Sequence, residues 1–177
     1  DTESLPAFVS YLQDNYEKSH VFYDGLKLNA FESIAPKITD KSLASCALEF
    51  TGIVKVLVGA NDSKMNLNQF ENFLRTARNY LTGADSIKLL DILDNINIQK
   101  VKTVSRQQDN QGNYAITMTS EKGKNDHRFP KTVKFEVPLL KHSPVKSVFT
   151  FDFFFAWNDT PDGAVQMFFA LKNIDLD

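Results

Sequence analysis

The run Val145–Trp157, VKSVFTFDFFFAW, has Val145, Ser147, Phe149, Phe151, Phe153, Phe155 and Trp157 at its odd positions. Lys146, Thr150 and Asp152 fall at even ones. A period of two places side chains on alternate faces of a β-strand, so this pattern predicts a strand with one almost wholly apolar face. Such a face lies against the core of its own fold or against another subunit. Val133, Phe135, Val137 and Leu139 alternate with Lys134 and Glu136 in the same way, and Val165, Met167, Phe169 and Leu171 do so near the end of the chain. IQKVKTVSRQQ and NYAITMTSE flank a compact hairpin turn at 109–112, and TPDG at 160–163 marks another turn.

The first half reads differently. Phe8, Tyr11, Leu12 and Tyr16 recur at helical spacing within 4–17, with Ser4 as N-cap and Pro6 in the first turn. Gly25 separates HVFYD from LKLNAF, which predicts a hairpin, and 35–42 reads as a loop. LASCALEF reads as a strand, whereas Ile53, Val54, Val56 and Leu57 fit a strand or a short helix. GANDSKMN is a turn-rich break. A helix over 67–81 follows, capped by Asn66, with Phe70, Phe73, Leu74, Ala77 and Leu81 on its apolar face and Gly83 at its end. Asp85 or Ser86 caps a further short helix. Helices first and strands second predict an α+β fold, with N-terminal helices and short strands packed on a C-terminal antiparallel four-stranded sheet. The expected organisation is one domain over 1–177, mainly helical to 95 and sheet from 96.

Hydrophobic residues make up 42% and charged residues 24% of the 177, which suits a globular chain rather than a disordered one. The lone cysteine, Cys46, excludes an intrachain disulfide and fits a reducing cytoplasm. No apolar run reaches membrane-spanning length and no leader-like stretch opens the chain, so no membrane role is expected. The first residue is Asp1, which leaves a preceding region open.

No constellation of residues demands a reaction. His20, His127 and His142 lie in separate segments without ligand spacing, so no metal or other cofactor is expected. Cys46 stands between alanines in an apolar run and reads as a small buried hydrophobe. Asp91 with Asp94, and Asp159 with Asp162, are spaced for paired carboxylate chemistry, yet such residues serve helix ends and turns far more often. Asp152 falls on the solvated face of the aromatic strand. Phosphate-binding glycine motifs are absent from the sequence.

Charge adds one asymmetry. Residues 99–134 carry eight cations against three acids, hence +5, and a whole-chain charge of −2 leaves −7 elsewhere. EKGKNDHRFPK within that segment reads as a basic loop between strands. Arg106, Lys122, Lys124 and Arg128 would contact phosphates there, with Tyr114 and Phe129 as stacking partners for bases. The competing reading is a solvated loop whose lysines protect a sheet edge.

MNLNQFENFL, KVKTVSRQQDNQGNYAITMTSE, FPKTVKFEVPLL, FTFDFFFAW and AVQMFFALK together resemble, in order and pattern, the YfdQ-like family of unknown function encoded by phages and prophages. The resemblance spans about 64–173. It implies a phage or prophage accessory protein in a bacterial cytoplasm, and it supplies no catalytic residues.

The expected function is therefore non-enzymatic. Fifteen phenylalanines exceed what a small core usually needs, so self-association through Phe149, Phe151, Phe153, Phe155 and Trp157 is expected, together with binding of a host or phage protein. Nucleic-acid association through the basic segment is the alternative, and an enzyme of unknown reaction comes third.

Overall fold

The computed structural model describes residues 4–25, 27–32, 36, 41–97, 101–108, 114–120, 123–161 and 165–176. Its contacts group into two compact units, Asp1–Lys55 with Pro138–Lys146 and Val56–Val137 with Ser147–Asp177. The architecture is α+β with antiparallel sheets.

In the first unit, helix α1 spans Leu5–Asn15. The Ala7 N–H donates to Ser4 Oγ at 3.2 Å, so Ser4 satisfies one of the amides left free at a helix start. Phe8 and Leu12, one turn apart, are buried. Tyr11 stays exposed and meets the Tyr16 ring edge-on at 6.0 Å, so the apolar face is narrower than its spacing suggests. Strands β1 (His20–Asp24), β2 (Lys27–Phe31) and β3 (Ala44–Ala47) form an antiparallel sheet in that order. Gly25 takes φ +60 at the tight turn, where a side chain would be strained. Phe8, Leu12, Ala30, Ala44 and Cys46 make the core, flanked by Leu5, Tyr16, Leu28 and Leu48. Residues 49–51 lie along the return segment: Thr51 N–H donates to Leu139 O, and Lys141 N–H to Glu49 O at 2.7 Å.

Helix α2 (Gly52–Ala60) resolves the strand-or-helix choice. Val54, Leu57 and Ala60 are buried every third residue, a spacing only a helix puts on one side.

The second unit holds strands β4 (Met65–Asn66), β5 (Leu81–Thr82), β9 (Thr132–Pro138), β10 (Lys146–Asp159) and β11 (Val165–Leu176) in one sheet, ordered β4-β11-β10-β9-β5. Five strands stand where four are expected: the two-residue strands β4 and β5 flank β9, β10 and β11, while the other strands expected in this sheet lie elsewhere. Strands β6 (Val101–Gln108), β7 (Tyr114–Ser120) and β8 (Gly123–Phe129) form a separate antiparallel sheet. The segment expected as a basic loop is thus largely strand β8. Its one fully apolar residue, Phe129, sits at the very end, so the alternation that marks a strand is nearly hidden.

Helix α3 (Leu67–Thr76) opens with a reciprocal capping box: Gln69 N–H donates to Asn66 Oδ1, and Asn66 N–H to Gln69 Oε1, each at 2.9 Å. It ends earlier than its pattern predicts, passing through a 3₁₀ turn at Arg78–Tyr80 into β5. Helix α4 spans Ala84–Asn97 and starts directly after Gly83, at φ +84. Ser86 is therefore inside the helix rather than its cap. It is buried, and its Oγ accepts the Lys134 N–H of β9 at 3.1 Å. The expected turns at 109–112 and 160–163 and the loop at 35–42 fall wholly or partly outside the described residues.

Candidate functional site

Phe149, Phe151, Phe153 and Phe155 are at most 4% exposed within this one chain. They are core, and the contact face proposed for them between subunits is corrected on that ground. The rings interlock with both the helix and strand sides of the second unit. Phe70 of α3 stacks on Phe169 at 5.1 Å with an interplanar angle of 2°. Phe129 stacks on Phe153 and Phe155 at 5.2 and 5.3 Å. Phe135 meets Phe151 and Phe73 edge-on. Offset and edge-to-face pairs of this kind are favourable beyond their buried area. Eight phenylalanines are absorbed this way, which accounts for much of the apparent surplus. Trp157 is half-buried beside Phe155 at 5.7 Å.

The basic residues do not converge on one face. Arg106 lies opposite Ile116, whereas Arg128 lies opposite Ala115, and Lys124 opposite Thr119. Neighbouring residues of β7 point to opposite sides, so Arg106 shares a face with buried Ile116 and Met118, and Lys124 and Arg128 share the other. Asp126 stands between those two cations, accepting from Thr117 Oγ1 at 2.5 Å. Lys122 lies outside the described residues. Phe129, expected as a stacking partner for bases, is fully buried.

The other candidates disperse. Cys46 is 1% exposed in the first core. Asp94 accepts from Arg75 Nη2 at 2.5 Å, and Arg75 also donates to Glu71 at 2.9 Å, so Asp94 serves an ion network between α3 and α4. Asp152 accepts from Asn173 Nδ2 at 2.8 Å. Lys141 donates to Glu49 at 2.7 Å and holds that carboxyl below its usual range, beside His142 in an open depression. Burial lowers the pKa of His127, whose Nε2 has no hydrogen-bond partner. Among the described residues no group of three or more His, Cys, Asp or Glu is placed to hold a metal, and no helix is long and apolar enough to cross a membrane.

Two surfaces carry apolar side chains in the open. On the outer face of the five-stranded sheet, Phe154 is 41% exposed under Lys172 Nζ, and half-buried Phe168 lies 3.7 Å beneath Lys64 Nζ. The second surface is β1. Among the described residues it pairs with β2 alone, leaving its other edge without a strand. Val21 is 49%, Phe22 36% and Tyr23 67% exposed. Val21 lies opposite Ala30 and Tyr23 opposite Leu28, and Ala30 and Leu28 belong to the face that packs with Phe8 and Leu12 of α1. The apolar face therefore continues past the helix that covers it. HVFYD was legible as a strand; its place at an edge depends on β3, which returns from residues 44–47 to take the other side of β2.

Comparison of the chain with models of protein families, with curated proteins and with solved structures gives no match.

Proposed function

We propose that this chain is a non-catalytic, self-associating interaction module whose contact strand is β1. The supporting observation is the open edge bearing Val21, Phe22 and Tyr23. Sheet edges present unpaired N–H and C=O groups, and proteins usually blunt them with lysine, proline or a bulge. HVFYD contains neither lysine nor proline, and its pairing with β2 runs without a register shift. Such an edge suits strand addition, in which main-chain hydrogen bonds give affinity and alternate side chains give specificity. A bacterial phage or prophage setting, with a host or phage protein as further partner, belongs to this proposal through the resemblance over 64–173 alone.

Sedimentation velocity over a wide concentration range tests it. The expected result is a concentration-dependent shift from monomer to oligomer, abolished by Val21→Lys/Tyr23→Lys with the circular dichroism spectrum retained. A monomer throughout overturns the reading. Nucleic-acid binding is the weaker alternative, because Arg106 is separated from Lys124 and Arg128 and an acid lies between the latter two.

A further inference from the structure

Resting on that reading, we infer that β1 pairs with β1 of a second copy, antiparallel about a two-fold axis centred on Phe22. The sequence of the strand, His20-Val21-Phe22-Tyr23-Asp24, is complementary to its own reverse. Reversal about position 22 sets Phe22 against Phe22, Val21 against Tyr23, and position 20 against position 24. Aromatic pairs and pairs of an aromatic with a β-branched residue are both favourable across strands. A two-fold contact requires such self-complementarity, because the same patch serves both partners.

The faces agree as well. Directly opposed residues in an antiparallel pair share one side of the sheet. Val21 and Tyr23 of each copy then form one apolar row on the side that carries α1, continuing the row of Ala30 and Leu28. Phe22 of each copy meets on the other side, where Phe22 already packs edge-on against Phe31 at 5.8 Å. Two three-stranded sheets become one six-stranded sheet with no exposed edge at its centre. A shift of one residue would place Val21 and Tyr23 on the side of the partner sheet away from α1 and break the continuous apolar row.

Disulfide trapping reads the register directly. In a Cys46→Ala background, single cysteines are placed at 21, 22 and 23 in the full chain. Phe22→Cys is expected to form a covalent dimer under mild oxidation. Val21→Cys and Tyr23→Cys alone are expected to stay largely uncrosslinked, and their mixture to give the mixed dimer. Directly opposed positions come within disulfide reach, whereas diagonal ones stand roughly 7–8 Å apart. A chain that associates in sedimentation yet crosslinks equally at 21, 22 and 23, or at none, overturns this register while leaving self-association standing. A chain that is monomeric at every concentration overturns both.

Discussion

His127 Nε2 is buried without a hydrogen-bond partner, and burial pushes the pKa of the ring below its ordinary value of 6.5, with Asp126 opposing more weakly. The folded state therefore keeps His127 neutral at a pH where the unfolded chain begins to take a proton. Since the unfolded state binds more protons, stability falls as the pH drops below 6.5 toward the lowered folded value, and it is fully present above 6.5. Urea unfolding at pH 7.5 and at pH 5.5, about one unit on either side of the ordinary pKa, is expected to show the loss. His127→Leu should remove that part of the pH dependence. A wild-type midpoint insensitive to this interval would contradict the assignment. At the same scale, Phe70→Ala is expected to cost about 3–5 kcal/mol, because it opens a cavity under Phe169 and Phe153. Phe154→Ala, at an exposed site, is expected to cost well under that, roughly 1 kcal/mol or less. Equal losses in chemical denaturation would deny that Phe70 is the better packed of the two.

Helix α3 is held at its first turn by the reciprocal Asn66–Gln69 bonds. Replacing Asn66 by Ala removes the acceptor for Gln69 N–H and is expected to cost ~1 kcal/mol. Ser86→Ala strips the part-buried Lys134 N–H of its Ser86 acceptor, which predicts a loss of roughly 1–3 kcal/mol. The second value should exceed the first in paired urea titrations; the reverse order would mean that water replaces Ser86 at no cost. The cap at Asn66 is written locally, in residues three apart, and was legible in the sequence. Ser86 reads as a cap, as an alternative to Asp85, because its true partner is 48 residues away. Strand β8 was misread as a loop for a related reason. Gly, Lys, Asn and Asp are the composition of a turn, and only the hydrogen bonds to β7 make the segment a strand. The aromatic period of β10 was legible in full. That period says a face is covered without saying by what, so the choice between core and subunit contact waited on Phe70, Phe129 and Phe169.

Two hydrophobic cores divide the molecule, and the sequence places one intrinsic probe in each. Cys46, the lone cysteine, is buried in the first, and Trp157, the lone tryptophan, belongs to the second. Leu12→Ala is expected to raise the rate of Cys46 thiol labelling under native conditions while shifting the Trp157 fluorescence transition little. Proteins open locally in units that follow their packing. Labelling that tracks the tryptophan transition in every variant would instead mean one cooperative fold. Among the described residues, alternation puts Arg106 on one face of the small sheet and Lys124 and Arg128 on the other, so these cations do not gather into one site.

Phe129 ends a strand of the small sheet, yet its ring is stacked against Phe153 and Phe155 of the large one. Only Pro130 and Lys131 separate it from β9, and Lys131 O accepts the Phe153 N–H at 2.8 Å. One short stretch thus answers to two hydrogen-bonding ladders at once. Phe129 must serve both sheets, its backbone paired with β7 and its ring packed on β10, so this position should tolerate the fewest replacements in a saturation library, fewer than the equally buried Phe135.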